Sequence, residues 1–490
     1  MNWIAKSAGR ATSMPAHVML LASLVLFVAR VPLLFVRKFD QDEFEHIHAA
    51  WNIFRGQVMY VDFFEHHPPL IHYLLQLPLY ITGESLWTLF VSRMLMLPFV
   101  AGIFWLTYLI ARSVCGSMVG SLSVLLLSTM IMFWEKSLEV RPDVPMTFFW
   151  LLALHALMAS RHRSELAAYI RSGMCLALSM LFLPKCIFGY FALVIGICVL
   201  WGFKFQWPWR QLVMFHLGIL IPTVVFVIWM LVRGSLYDFW YTTILLNAQM
   251  GAELRYPILV KYLTQSLIQN QLFWVAVIPG VLLLIGSRNI SADQKTILVF
   301  SLCGLLVGLW FNPAPNRQYY LLFIPIVSIG ASFFGVVVLA AIFRWNRIAG
   351  VLLGVFVVLF MLLPLRHLKE QYADRNTGQL EVIRYVLGRT GPADAVFDCW
   401  TGLYLFRPNA SYYHFLNWDL IEVLGNQALR DVLLEDLADE SCRVVIRDRH
   451  HQFLHPDVRR VIAERFVPSP EFKHILFRDG DFDLNHEGVP

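Results

Sequence analysis

The residues best suited to chemistry form an acidic, histidine-rich run directly after the first apolar segment. Six of the nine residues from 40 to 48 carry a carboxylate or an imidazole: Asp40, Asp42, Glu43, Glu45, His46 and His48. Removing so many ionisable groups from bulk water beside a lipid boundary is costly unless they bind something. We therefore predict a catalytic or binding site in the loop from 37 to 87.

Composition defines the class of protein that must position this loop. Of the 490 residues, 58% are apolar and 15% are charged, and this balance is typical of a polytopic membrane protein. The net charge of +5 is not concentrated in a basic stripe with interleaved aromatic residues, which argues against a nucleic-acid partner.

Eleven apolar segments are long enough to predict membrane spans. They cover residues 16 to 36, 88 to 111, 116 to 133, 144 to 160, 166 to 182, 186 to 203, 211 to 232, 272 to 287, 296 to 311, 318 to 343 and 347 to 365. Alternate loops carry Lys and Arg, including Arg112, Arg210, Arg288 and Arg344, as the cytoplasmic side of a membrane protein does. This predicts a cytoplasmic N-terminus in the inner membrane, with the distinctive polar loops on the outer side.

The chain becomes less apolar and more charged after residue 365. Charged residues return, Ala395 to Trp400 and Arg443 to Arg447 read as strands, and Leu380 to Leu387 and Pro456 to Phe466 show helical spacing. We predict a transmembrane domain over 1–365 and a soluble, periplasmic α/β domain over 366–490. Two of the seven cysteines, Cys399 and Cys442, lie in this domain. The sequence alone does not decide whether they form a disulfide.

The outer loops hold the groups needed to transfer a sugar from a lipid phosphate to a hydroxyl. Phosphate is a good leaving group, so one carboxylate suffices to take the proton of the attacking hydroxyl, while cations hold the phosphate. The candidate carboxylates are Asp42, Glu43 and Asp143, and the candidate cations are Arg141, Lys185 and Arg317.

Several short motifs, in order and on the predicted outer side, resemble those of GT-C glycosyltransferases of the protein O-mannosyltransferase and lipid A aminoarabinose transferase type. The resemblance covers roughly residues 15 to 365. Its motifs are Asp42-Glu43, Gly56 to Tyr60, Asp62-Phe63-Phe64, Pro68-Pro69-Leu70, Arg141-Pro142-Asp143, Leu183-Pro184-Lys185, and Arg317 with Tyr320-Leu321-Leu322 and Pro325.

This resemblance implies a multi-helix membrane body with a variable periplasmic domain and a polyprenyl-phosphate sugar donor. It implies that Asp42 is the catalytic base or positions the acceptor, which would be a glycolipid, a glycan or a protein. It also implies that Arg141, Lys185, Arg317 and Tyr320 contact the donor or its phosphate.

One departure concerns the position before the proline pair. Many relatives have a lysine there that contributes to phosphate binding, whereas this chain has His66 and His67. Protonated imidazoles would serve the same purpose. Alternatively, four histidines of this loop and the surrounding carboxylates could ligate a divalent metal ion, since imidazole and carboxylate suit zinc or manganese. These histidines are His46, His48, His66 and His67.

Other functions were weighed against sugar transfer. A transporter or a flippase of lipid-linked glycans would place ionisable groups near the bilayer midplane, usually in two symmetric halves, and this chain has neither feature. An oligosaccharyltransferase or polymerase that uses a whole glycan as donor shares the same chemistry and stays open.

Overall fold

The computed structural model describes residues 13–158, 165–202, 208–250, 256–312 and 315–480. These residues form two compact units, which are described separately. The first contains residues 13–35, 95–227 and 256–373, and the second contains residues 36–94, 228–250 and 374–480, in each case within the described ranges.

The first unit consists of apolar helices. Among the described residues, six helices are long and apolar enough to cross a membrane, or eight if two bent helix pairs each count as one span. The six are Ala16–Val36, Trp87–Cys115, Trp209–Val232, Ala292–Phe311, Ile324–Trp345 and Arg347–Ala373; the bent pairs are Ser117–Thr129 with Ile131–Ser137 and Ile258–Gln269 with Gln271–Gly286. The prediction of a polytopic helical membrane protein is confirmed.

Three shorter helices account for the remaining predicted spans. They are Asp143–Met158, Glu165–Phe182 and Ile187–Gly202, the last preceded by a 3-10 turn over Pro184–Cys186. Every predicted span thus coincides with an apolar helix or a bent pair, but the count of eleven crossings stays a prediction. The ends of the predicted spans 144 to 160 and 186 to 203 lie outside the described residues.

Close backbone contact joins two of these helices. A Cβ atom added to Gly280 would lie 2.0 Å from the carbonyl oxygen of Gly330, so helices Gln271–Gly286 and Ile324–Trp345 approach where neither has a side chain. Small residues at such crossings let membrane helices gain van der Waals contact that larger side chains would prevent.

Each bent pair has one break between its two helices, and the two breaks contact each other. The first pair turns by 70° at Met130 and the second by 103° at Asn270. The Asn270 side-chain oxygen accepts a hydrogen bond from the backbone N–H of Ile131 (3.1 Å), and its Nδ2 donates to the carbonyl of Thr129 (3.2 Å). One buried side chain thereby satisfies backbone groups that a helix break leaves without intrahelical partners.

The second unit combines the outer loop with the C-terminal region. Its helices are Gln41–Phe54, Leu70–Leu74, Gln76–Thr82, Leu236–Phe239, Asn247–Met250, Thr377–Arg389, Trp418–Leu424, Asn426–Ala438 and Pro456–Arg465, with a π-helix over Trp240–Leu246. The loop predicted at 37–87 therefore belongs to the same compact unit as the C-terminal region.

A small mixed sheet forms the centre of the C-terminal region. Strands β1 (Ala395–Asp398), β2 (Cys442–Ile446), β3 (Phe466–Pro468) and β4 (Ile475–Arg478) lie in the order β1-β2-β4-β3. The β1 and β2 strands are parallel, and β4 is antiparallel to both of its neighbours. Both predicted strands and both predicted helices of this region are present, so the α/β assignment is confirmed.

The sheet and its helices enclose an apolar core that also takes in a residue of the outer loop. Phe64 packs in the same cluster as Leu416, Leu433 and Val445. Cys399 and Cys442 belong to this cluster as free, buried thiols, so the disulfide considered from the sequence is not formed.

Candidate active site

The acidic run begins a helix whose first turn is capped by its own side chains. A carboxylate oxygen of Asp40 accepts from the backbone N–H of Asp42 (3.2 Å), and Glu43 in turn accepts from the N–H of Asp40 (2.9 Å). This capping box fixes where helix Gln41–Phe54 starts. Asp42 lies in that first turn and is half-buried, whereas Glu43 is fully buried.

Glu43 forms a buried, bidentate ion pair with Arg93. Arg93 donates from Nε to one Glu43 carboxylate oxygen at 2.8 Å and from NH2 to the other at 2.7 Å. The same guanidinium donates to the carbonyls of Arg37 (2.9 Å) and Lys38 (3.0 Å) and lies 3.8 Å from the ring centre of Phe39. Both lone-pair-bearing oxygens of Glu43 are engaged, so its geometry fits a structural role better than the predicted catalytic one.

A second cluster joins the histidines of the loop to a buried glutamate. Glu65 Oε1 accepts from the backbone N–H groups of His66 and His67, both at 2.9 Å, and lies 2.8 Å from His67 Nδ1. Its other oxygen, Oε2, lies 3.3 Å from Nε2 of His72, and that nitrogen lies 3.2 Å from Nδ1 of His46. Glu45 completes the group at 3.6 Å from His66 and 3.7 Å from His67.

Electrostatics in this cluster follow from burial and from the dense packing of imidazoles. Burial alone would raise the pKa of Glu65, but the charge of His72 and the hydrogen bond from His67 hold that pKa well below its usual value. Burial and the neighbouring charges of His67 and His72 lower the pKa of His66 to about 3. His66 is therefore neutral at pH 7, which weakens the prediction that it holds phosphate by charge.

Contacts from across the second unit hold the loop that carries this cluster. Tyr60, which has a positive φ of 72°, donates its hydroxyl to the carbonyl of His67 at 2.7 Å. Asn247 donates to the carbonyl of His66 at 2.7 Å, and Tyr412 donates to the carbonyl of Tyr60 at 2.6 Å. Pro69 then caps helix Leu70–Leu74, which carries His72. The loop is fixed at both of its histidines through their backbone.

His48 has partners of its own and does not join the His46 cluster. Its Nδ1 lies 2.6 Å from the carbonyl of Leu405, and its Nε2 lies 2.6 Å from the side-chain amide of Asn409. Burial lowers the pKa of His48 to about 4, and burial together with the neighbouring His48 lowers that of His414 to about 3. Of the four histidines considered as metal ligands, His46, His66 and His67 lie in groups of neighbouring ligand atoms, and His48 belongs to neither group.

In the first unit, two of the predicted residues pair directly. Lys185 Nζ lies 2.7 Å from Oδ1 of the buried Asp143, and it also lies 3.4 Å from the ring centre of Tyr319. Arg141 contacts Glu139, a buried carboxylate that also accepts from Lys136 at 2.8 Å. Asp143 thus holds the ammonium group of Lys185, and the catalytic role predicted for it stays a prediction.

The remaining predicted residues of this unit lie near the 3-10 helix Arg317–Leu322. Arg317 forms an ion pair with Glu135 and donates to the side-chain oxygen of Gln265 at 2.7 Å. Tyr320 is buried and donates its hydroxyl to the carbonyl of Leu259 at 3.3 Å. Tyr320 therefore positions the segment rather than offering a side chain to solvent.

Cations exceed carboxylates in these segments. The described residues 131–143, 183–187 and 315–322 carry four cations (Lys136, Arg141, Lys185, Arg317) and three carboxylates (Glu135, Glu139, Asp143), an excess of one positive charge. Sequence reasoning missed Glu135 and Glu139, although each precedes a predicted cation in the same short stretch. It also missed Glu65 and His72 as named members of the histidine cluster, where the run Glu65-His66-His67 was the available signal.

The fold defines the class: the chain is a multi-pass membrane protein with the GT-C fold. The family model described as dolichyl-phosphate-mannose-protein mannosyltransferase matches residues 66–231, which is less than half of the chain. No curated protein sequence matches the chain.

Solved structures with the same fold match almost the whole chain at low identity. The ArnT structure from Cupriavidus metallidurans bound to undecaprenyl phosphate has a TM-score of 0.64 and 12% identity, over 95% of this chain and 98% of that one. The Archaeoglobus fulgidus oligosaccharyltransferase tethered with an acceptor peptide has a TM-score of 0.59 and 12% identity, over 99% and 76%. Its complex with an inhibitory peptide and a dolichol-phosphate has a TM-score of 0.55, also at 12% identity, over 96% and 75%.

Replacing Glu43 by Gln should destabilise the protein. The change leaves the buried Arg93 guanidinium without its counter-charge, and breaking a buried pair from one side costs about 3 to 5 kcal/mol. Unfolding followed by intrinsic fluorescence in detergent measures this, with Asp42→Asn as the matched control that should change stability little. A Glu43→Gln protein as stable as the parent but without turnover would restore Glu43 to a catalytic role.

Stability should also fall as the pH is lowered from 7 to 5. His48 and His414 have folded-state pKa values of about 4 and about 3, below the ordinary 6.5, so between these values the unfolded chain takes up protons that the folded chain does not. Each histidine then lowers the free energy of unfolding by about 1.4 kcal/mol per pH unit below 6.5. His414→Phe should make this dependence shallower, and an unchanged slope would contradict the assignment.

Proposed function

We propose that this protein is a membrane glycosyltransferase that moves a sugar from a polyprenyl-phosphate donor to an acceptor hydroxyl at the outer face of the cytoplasmic membrane. The observation that carries the proposal is the GT-C fold over nearly the whole chain. It is combined with a helix directly after the first apolar helix whose first turn contains the carboxylates Asp42 and Glu43. ArnT was solved with undecaprenyl phosphate and the oligosaccharyltransferase with a dolichol-phosphate, which supports a donor of this class. The acceptor would be a glycolipid, a glycan or a protein.

Asp42 would act as the base. Asp42 is half-buried in the first turn of helix Gln41–Phe54, one position before the Glu43 carboxylate that Arg93 engages. In the proposed reaction, the Asp42 carboxylate takes the proton of the acceptor hydroxyl while its oxygen bonds to the anomeric carbon. The bond from that carbon to the phosphate oxygen breaks, polyprenyl phosphate leaves, and the configuration inverts.

Lys185 and Arg317 would bind the donor phosphate. Each already contacts one carboxylate, so the phosphate would join existing ion pairs in segments that carry one excess positive charge. Charge-assisted hydrogen bonds to phosphate are short and strong, and the planar guanidinium can bind it through two parallel bonds. Asp143 would orient Lys185 for this contact.

Asp42→Asn should abolish turnover and leave folding intact. The amide keeps the size of the side chain but cannot accept the hydroxyl proton. The test is to express parent and variant in a strain that lacks the gene and to search envelope glycolipids and glycans by mass spectrometry for a sugar restored by the parent alone.

Two results would contradict the assignment. Activity of Asp42→Asn within a few-fold of the parent would remove Asp42 from the mechanism. If deletion changed the distribution of a lipid-linked glycan between the membrane faces without loss of any linkage, the protein would be a flippase and not a transferase.

Lys185→Met should raise the donor concentration that gives half-maximal rate. A charge-assisted hydrogen bond is worth about 1.5 to 3 kcal/mol, which corresponds to a change of about tenfold or more. The variant also leaves Asp143 without its 2.7 Å partner, so the matched control is Lys185→Met with Asp143→Asn, which should recover stability but not donor affinity. A rise confined to the acceptor concentration would contradict the phosphate role.

A further inference from the structure

The cluster around Glu65 contains ligand atoms at distances suited to a metal ion. His46 Nδ1 lies 3.2 Å from His72 Nε2, which lies 3.3 Å from Glu65 Oε2. A tetrahedral zinc ion with bonds of about 2.0 to 2.1 Å holds neighbouring ligand atoms about 3.3 Å apart. Both separations therefore match the edge of a zinc coordination tetrahedron.

One carboxylate oxygen in this cluster is left without a hydrogen bond. Glu65 Oε1 has three contacts, from the backbone N–H groups of His66 and His67 and from His67 Nδ1, and these fix the plane of the carboxylate. Glu65 Oε2 is fully buried and makes no hydrogen bond, and its one ion-pair contact is with Nε2 of His72 at 3.3 Å. A buried carboxylate oxygen without a hydrogen bond is costly, and a cation bound beside it would satisfy it.

We propose that His46 Nδ1, His72 Nε2 and Glu65 Oε2 bind a divalent transition-metal ion of the zinc class. Three protein ligands leave the fourth tetrahedral position for water or for an oxygen of a bound molecule. The second carboxylate nearby, Glu45, together with Glu65 balances the charge of a divalent ion. His66 and His67, which share Glu65 with this site, are only half-buried.

Hydrogen bonds around the proposed metal ligands orient the Glu65 carboxylate. The ring of His67 at 2.8 Å from Oε1 and the two N–H groups hold the carboxylate in one orientation, as the outer partners of metal ligands commonly do. The proposal goes beyond sugar transfer, because it concerns binding of an ion by this loop and requires neither donor nor acceptor.

Metal content tests the proposal directly. The full-length protein is purified in detergent, stripped of metal with a chelator, dialysed against Zn²⁺ and washed. Inductively coupled plasma mass spectrometry should then find one zinc ion per chain. Glu65→Gln and His72→Asn should lower the zinc affinity about tenfold or more. His367→Asn, which removes a histidine outside the cluster, should still bind one ion per chain.

A second measurement needs no variant. Loaded with Co²⁺, the parent protein should show the intense visible absorption of a four-coordinate site. A parent protein that retains no ion after the wash, or variants that bind as much as the parent, would overturn the proposal and leave Glu65 and His72 as a buried ion pair. Because no donor or acceptor is present, a failure of the proposed transfer reaction would not affect either measurement.

Discussion

The buried ion pair between Glu43 and Arg93 constrains the start of the outer loop. One guanidinium binds both oxygens of the carboxylate and the carbonyls of Arg37 and Lys38, so four acceptors at the beginning of the loop depend on a single side chain. A charge removed from water is tolerated only when such partners are complete. The capping box and the position of Asp42 follow, because Glu43 serves both the cap and the ion pair.

Other buried charged groups are likewise paired with groups of opposite charge or with hydrogen-bond donors. In the first unit, Asp143 supports Lys185 and Glu135 supports Arg317, so each proposed phosphate ligand has a carboxylate that fixes its direction before any donor binds. In the second unit, one oxygen of Glu65 contacts the backbone and the imidazole of His67, and the other lies 3.3 Å from the imidazole of His72. In each case a carboxylate fixes the direction of a neighbouring group.

The sequence predicted elements more reliably than roles. An apolar helix or a bent pair lies at each predicted span, and the runs predicted as strands contain β1 and most of β2, because these signals are local. The ion pairs could not be predicted, since they join residues such as Glu43 and Arg93, 50 positions apart, or Arg317 and Glu135, 182 positions apart. The same limit explains His48: its spacing from His46 suggested a shared ligand set, yet its partners, Leu405 and Asn409, lie more than 350 residues away.

The side chain of Asn270 has a consequence for how the protein is made. It lies at the second helix break and contacts the backbone at the first, and Ile131, at that first break, is synthesised 139 residues before the asparagine that accepts its N–H. During that interval the exposed backbone groups need water or another transient partner, because hydrocarbon offers none. The first bent pair therefore acquires its final geometry only after the second has been inserted. Biogenesis must keep the early half of the membrane body open until the later half arrives.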